Sequence, residues 1–154
     1  MIIYVIKSQN EIWKKHSSKQ VLNALANTYH WGIPYYLDSG KPMLENGYIS
    51  VSHSNEYMLI AYAHQPIGID CEQIQPIQES LINKLNLDKV NPIIDWCKRE
   101  AIVKLLDDPS YMMKKDIDNF YFKEIILDPQ YYIILVSNQK IDEIEVKCIS
   151  DNLI

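Results

Sequence analysis

The chain has 154 residues, enough for one domain with a substantial core or for two small halves packed together. Its composition, 47% hydrophobic and 23% charged residues, is ordinary for a soluble globular protein. The formal net charge of -5 argues against general nucleic-acid binding, which usually requires a basic surface. The composition therefore predicts a globular protein without a nucleic-acid partner.

The start of the chain and its cysteines favour a cytoplasmic location. The apolar residues 1–6 are followed by Lys7, too soon for a signal peptide or a membrane span, so we expect a strand there and no membrane partner. The three cysteines, Cys71, Cys97 and Cys148, are odd in number and lack the spacing of metal ligands. A disulfide scaffold is therefore not expected, and a reducing compartment is favoured.

Hydrophobic periodicity and turn residues predict an α+β protein. The predicted elements are a strand over 2–7, a helix over about 11–29, a loop over 34–42, strands over 48–53, 57–63 and 67–70, helices over 78–87 and 93–107, and strands over 120–127, 131–137 and 143–149. Asp95 could help cap the last helix, and residues 128–130 form a tight turn. Both halves run strand, helix, then strands, so two similar halves, 1–64 and 65–154, with a pseudo-twofold relation are expected.

Two short segments carry the chemistry. In Gly68-Ile69-Asp70-Cys71-Glu72, read as the end of a buried strand, Asp70 and Glu72 project from the same face. In the helix from Trp96 to Lys104, Glu100 and Lys104 are four residues apart and share a face. Three carboxylates and one ammonium can therefore converge, which suits a divalent cation holding a phosphate.

Each of these features also has an ordinary structural interpretation. Acidic residues after a buried strand usually mark the point where the chain leaves the core and enters solvent. Glu100 with Lys104 could be a surface ion pair on a helix. The hydroxyls of the segment 52–54 could satisfy backbone groups at a strand end. The segment 40–42 could be only a turn, and lysines 14, 15 and 19 could be the wet face of a helix.

The order and spacing of the motifs resemble those of the Sfp-type 4'-phosphopantetheinyl transferases. The matching segments are Ser18–Leu22, Gly40-Lys41-Pro42, Ser50-Val51-Ser52-His53-Ser54, Pro66–Glu72, Trp96–Lys104 and Asp128–Tyr132. They cover most of the chain. The resemblance implies the fold of that family, with the active site at the interface of two similar halves.

The resemblance also implies an activity. These enzymes transfer the 4'-phosphopantetheine arm of coenzyme A to a serine of an acyl, peptidyl or polyketide carrier protein. They require Mg2+ and release adenosine 3',5'-bisphosphate. A monomer is favoured, since the site lies between two halves of one chain. Which carrier or pathway is served stays open.

The family's functional residues carry over to eight positions of this chain. Asp70, Glu72 and Glu100 would bind Mg2+, and Glu100 would act as the base, directly or through a bound water. Lys104 would contact the coenzyme A phosphates. By the same resemblance, Lys41, Ser52 and His53 would hold the pyrophosphate and the 3'-phosphate end, with Lys19 as a further 3'-phosphate contact.

Arg99, the chain's one arginine, stands where the family usually has lysine. One residue before Glu100 on a helix, it points about 100° away and cannot share the metal. We expect it to pair with a motif carboxylate or to reach a phosphate, unless it is a solvated residue beside Lys98. An Arg99→Lys change should then be tolerated.

Two other functions stay open. A shortened relative could bind coenzyme A or a carrier protein without transfer, because only 39 residues precede Gly40 and the segments around the motifs are short. An unrelated Mg2+-dependent phosphohydrolase could use the same carboxylates. Incubation of an apo carrier with coenzyme A and Mg2+ separates the three, because only transfer adds mass to the carrier.

Overall fold

The computed structural model describes residues 1–7, 17–114 and 116–150, and within them the mixed α+β class is confirmed. The strands of this part of the chain are β1 Ile2–Lys7, β2 Tyr35–Tyr36, β3 Pro42–Met43, β4 Tyr48–Ser54, β5 Tyr57–Ala63, β6 Gly68–Gln73, β7 Tyr121–Glu124, β8 Tyr131–Ser137 and β9 Glu145–Ile149. The helices are α1 Ser18–Thr28, α2 Glu79–Leu85 and α3 Pro92–Leu106, followed by a 3-10 helix over Pro109–Met113. None of the helices described is both long and apolar enough to cross a membrane.

The strands form two main sheets and one small hairpin. The first sheet has the order β4-β5-β1-β9, and the second has the order β6-β8-β7. All pairs within them are antiparallel except β1 with β9, which is parallel. β9 therefore adds the far end of the described chain to a sheet that is otherwise built from residues 2–63.

Both main sheets are covered on both faces, because alternate residues of their strands enter different cores. In β5, Tyr57, Leu59 and Ala61 join the core shared by the two sheets, whereas Met58 and Ile60 pack toward α1. The strand β8 divides in the same way between the shared core and α3. The order of layers is thus α1, first sheet, second sheet, α3.

The two sheets meet along β4 and β6 through serine side chains. The hydroxyl of Ser50 accepts the backbone N–H of Ile69 at 3.0 Å, and that of Ser52 accepts the N–H of Cys71 at 3.1 Å. Residue numbers increase together along the two contacts, so β4 and β6 run in the same direction. We call this contact the serine seam, and it satisfies amides on the edge of β6 that does not pair with β8.

The helix α1 begins with a capping box. Ser17 accepts the N–H of Gln20, and the Gln20 side chain accepts the N–H of Ser17. The predicted helix was longer, but its first part, with Lys14 and Lys15, lies outside the described residues. From Ser18–Thr28 the helix agrees with the prediction.

Three predictions differ from the structure in detail. The predicted loop 34–42 contains the hairpin β2–β3, because a tight turn closed by Leu37 N–H to the Lys41 carbonyl at 3.0 Å brings its ends together. β7 is shorter than the predicted 120–127 and ends before Ile126, which is 91% exposed as the chain enters its turn. Asp95 is wrong as a cap, since α3 begins at Pro92 with Asn91 as its N-cap.

Candidate functional site

The strand β6 presents its acidic residues to α3. Ile69 and Cys71 enter the shared core, so Gly68, Asp70 and Glu72 lie on the opposite face. A Cβ at Gly68 would overlap the backbone of α3. The helix can therefore pack directly on the strand here, which brings its side chains within reach of the two carboxylates.

The helix α3 presents three residues at four-residue intervals to that face: Trp96, Glu100 and Lys104. The Lys104 ammonium donates to Asp70 Oδ1 at 2.6 Å, and Trp96 Nε1 donates to Glu72 Oε1 at 3.2 Å. Glu100 lies one turn from each of these contacts. Asp70 thus contacts the helix through Lys104, and Glu72 contacts it through Trp96.

Burial and the charge of Asp70 oppose ionisation of the two glutamates of the cluster. Burial and then the negative charge of Asp70 raise the pKa of Glu72 to about 7. The same two causes raise the pKa of Glu100 above its usual value. The other oxygen of Asp70, Oδ2, is buried and accepts no hydrogen bond from any residue that the structure describes. An uncompensated buried oxygen is costly, so this cluster favours an added positive charge.

The carboxylates are not gathered around one point. Among residues 1–7, 17–114 and 116–150, no three His, Cys, Asp or Glu side chains are grouped as ligands of a metal ion. Asp70 and Glu72 instead contact Lys104 and Trp96. The donor set is nevertheless of hard oxygens, which is the type that Mg2+ prefers.

Lys41 lies where the first part of the chain docks on the end of α3. Its ammonium donates to the Leu105 carbonyl at 2.7 Å, and Ser39 donates to Asp107 Oδ2 at 3.0 Å. Burial lowers the pKa of Lys41, although the Asp107 charge opposes the shift. Lys41 therefore neutralises the negative C-terminal end of the helix in addition to any ligand it contacts.

Two neighbouring cavities contain the other predicted phosphate contacts. The first, of about 270 Å3, is lined by Lys41 and Lys104, and the second, of about 190 Å3, is lined by Lys19, His53 and Tyr36. The residues that line both cavities are Gly40, Pro42 and Val51. The cavities thus adjoin along one groove, which we call the cationic groove. Its walls carry three lysines and one carboxylate, that of Asp107.

Ser52 differs from the other predicted contacts because it lies behind the groove rather than on its surface. It is 3% exposed, and its hydroxyl contacts Asp70 and Lys104 in addition to the backbone of Cys71. His53, the next residue of β4, is exposed and lines the groove. Alternation along the strand accounts for the difference.

Both sequence-based expectations for Arg99 are wrong. Arg99 is not solvated, because it is only 3% exposed, and it does not contact a motif carboxylate or the cationic groove. Its guanidinium forms a two-pronged pair with Asp95 and donates to the backbone of residues 85, 86 and 112. It joins α3 to the segments on either side of it, so its role in the fold is structural.

Two contributors to the site were not assigned a role from the sequence. Trp96 belongs to the motif from Trp96 to Lys104, and its spacing of four residues from Glu100 predicts that it lies on the same helix face as Glu100. Tyr36 lines the groove with the Lys19 ammonium 4.5 Å from its ring centroid, a cation–π contact. Its position depends on the hairpin that the sequence did not predict.

No protein-family model matches the chain, and no curated protein matches it. The resemblance to the phosphopantetheinyl transferases rests on the motifs alone.

Proposed function

We propose that this chain is a compact Sfp-type phosphopantetheinyl transferase. It transfers the 4'-phosphopantetheine arm of coenzyme A to a carrier-protein serine, and it needs Mg2+. The observation that carries the proposal is the contact of Asp70 on β6 with Lys104 on α3, beside the cationic groove. Glu72 and Glu100 lie near enough for the charge of Asp70 to raise their pKa values. The family's two similar halves are part of the proposal, and a single outer helix on each main sheet supports it.

Asp70, Glu72 and Glu100 are the residues that would hold Mg2+. Asp70 Oδ2 is buried without a partner in the described chain, and burial, followed by the charge of Asp70, raises the pKa values of Glu72 and Glu100. When bound there, Mg2+ would polarise the pyrophosphate and stabilise the charge of the departing bisphosphate. The fit of the donor set to a hard cation supports this assignment.

Glu100 is the proposed base. The carrier serine oxygen forms a bond to the phosphorus that bears the pantetheine arm, and its proton passes to the Glu100 carboxylate. The bond from that phosphorus to the oxygen of adenosine 3',5'-bisphosphate breaks, and that oxygen keeps the electron pair. A raised pKa supports the role, because a carboxylate is a better proton acceptor when its pKa lies nearer neutrality.

The cationic groove is the proposed site for coenzyme A. Lys104 and Lys41 would contact the pyrophosphate, while His53 and Lys19 would contact the 3'-phosphate end. Placing the substrate in one orientation and surrounding its oxygens with fixed donors is the main task of a protein in phosphoryl transfer. The lysines on the groove walls supply that positive charge despite the net charge of -5.

Mass spectrometry of an apo carrier protein after incubation with the chain, coenzyme A and Mg2+ tests the proposal. Transfer adds the phosphopantetheine mass to the carrier serine. Binding of coenzyme A without added mass would support the non-catalytic relative, and breakdown of coenzyme A without carrier modification would support a phosphohydrolase. Either result would overturn the proposal.

Matched variants link the activity to the site. We expect Asp70→Asn to reduce transfer at least about a hundredfold, because it removes a charged ligand while keeping the side-chain shape. Asp118→Asn, an exposed residue outside the site, is its control. Lys104→Met should likewise reduce transfer, with the exposed Lys89→Met as control. If a variant and its control transfer the arm at equal rates, that residue does not belong to the site.

A further inference from the structure

The Ser52 hydroxyl uses its whole hydrogen-bonding capacity inside the protein. It donates to Asp70 Oδ1 at 3.1 Å, and it accepts the Cys71 N–H at 3.1 Å and the Lys104 ammonium at 3.0 Å. A hydroxyl has one hydrogen to donate and two lone pairs to accept with. A phosphate contact would therefore require one of three bonds at a buried residue to break.

These bonds fix the Asp70 carboxylate in one orientation. Oδ1 accepts both from Ser52 and from Lys104, whereas Oδ2 is buried and has no partner among the residues described. Because the two oxygens belong to one rigid plane, anchoring Oδ1 determines where Oδ2 points. Ser52 also holds the ammonium that neutralises Oδ1, so the pair cannot separate freely.

Ser50 provides an internal comparison. It lies two residues away on the same strand, is also 3% exposed, and also accepts an amide of β6. Its hydroxyl has no recorded contact with a charged group in the described part of the chain. The two serines therefore share the role in the serine seam, and only Ser52 touches Asp70 and Lys104.

We propose that Ser52 is a positioning residue, which orients Asp70 Oδ2 toward the cation and holds Lys104, and does not itself bind the substrate phosphate. The inference rests on the proposed function, since it concerns the same cation site. It departs from the role that the motif resemblance implies for this serine. Partners that orient metal ligands typically change metal affinity or activity 10–100-fold when removed.

The test compares Ser52→Ala with Ser50→Ala in the full chain, with Mn2+ as a paramagnetic substitute for Mg2+. Both changes remove one acceptor of the serine seam, and Ser52→Ala also removes the bonds to Asp70 and Lys104, so urea unfolding serves to establish that each variant is folded. Only Ser52→Ala should weaken Mn2+ affinity, by at least about tenfold, as measured by water-proton relaxation. Ser52→Thr, which keeps the hydroxyl, should restore the affinity to within about threefold of wild type. If Ser52→Ala does not fold, the near-isosteric Ser52→Cys replaces it with the same expectation.

Steady-state kinetics separate positioning from direct contact. With coenzyme A at saturation, Ser52→Ala should lower kcat at least about tenfold, and any rise in the KM for coenzyme A through displacement of Lys104 should be accompanied by the loss of Mn2+ affinity. A raised KM with unchanged Mn2+ affinity would make Ser52 a phosphate ligand and overturn the proposal. Equal Mn2+ affinities of Ser52→Ala and Ser50→Ala, or a wild type that binds no Mn2+, would also overturn it. The relaxation measurement needs no transfer, so failure of the proposed activity is detected separately by mass spectrometry.

Discussion

Replacement of Arg99 by lysine should destabilise the fold, although charge is kept. The guanidinium pairs with Asp95 through two bonds, of 2.9 and 2.8 Å, and donates to the carbonyls of Leu85, Asn86 and Met112 at 2.8–3.0 Å. These contacts use all five N–H groups of the side chain. A lysine ammonium has three hydrogens and a different shape, so it cannot satisfy this set.

The expected cost follows from what each change leaves behind. Arg99→Ala leaves the Asp95 carboxylate, whose side chain is 15% exposed, without its cation. Removing one partner of a buried pair typically costs about 3–5 kcal/mol. Arg99→Lys keeps a cation but leaves at least two acceptors unsatisfied, which at about 1–3 kcal/mol each suggests a loss of about 2–4 kcal/mol. A small domain has about 5–15 kcal/mol in total, so either loss is readily measured.

Urea unfolding followed by circular dichroism measures these losses. Lys98→Ala is the control, because Lys98 is the neighbouring residue and its ammonium lies over the Phe122 ring at 5.3 Å without a role in the Arg99 contacts. We expect the control to lose no more than about 1 kcal/mol. If Arg99→Lys unfolds at the wild-type urea midpoint, the buried arginine contacts do not stabilise this fold and the sequence-based expectation of tolerance stands.

Three further predictions concern the site and its support. In the metal-free protein, burial and a neighbouring carboxylate raise the pKa of Glu72 from 4.5 to about 7, so the folded state binds more protons than the unfolded chain between these values. The free energy of unfolding should fall as pH rises through that window, and Glu72→Gln should flatten the slope in urea titrations. Gly68→Ala should cost at least about 3 kcal/mol or prevent folding, because its Cβ overlaps the Ala101 carbonyl, and a wild-type melting temperature would contradict this packing. Lys41→Met removes the bond to the Leu105 carbonyl and should lower the free energy of unfolding by about 1 kcal/mol. Calorimetry should also show weaker coenzyme A binding, and unchanged affinity would exclude Lys41 as a phosphate contact.

Hydrophobic pattern was sufficient for the main elements because each is determined by its own residues. The alternation along β5 and the spacing along α1 and α3 follow from local periodicity; β5 and α3 agree closely with the predicted bounds, and α1 agrees at its C-terminal end. The hairpin β2–β3 was missed because its strands are only two residues long, too short for a period to show. The pairing of β9 with β1 was also beyond the pattern, since it joins segments that are distant in sequence.

The site was predictable where spacing alone determines direction. A period of two orients Asp70 and Glu72 together, and a period of 3.6 aligns Glu100 with Lys104. Arg99 shows the limit of this reasoning. Helical spacing predicted that Arg99 points away from Glu100. Its burial depends on contacts with α2 and the 3-10 helix, which lie more than ten residues away and leave no pattern around residue 99.

The parallel pairing of β9 with β1 affects how the chain folds during synthesis and how a truncated fragment would behave. During synthesis, residues 2–63 leave the ribosome well before residues 145–149, so β1 waits with one edge unpaired while the second sheet is still being completed. A fragment that stops near residue 64 keeps that edge open permanently and invites pairing with another copy. The last described strand therefore completes the first sheet, and residues 145–149 are needed to cover the edge of β1.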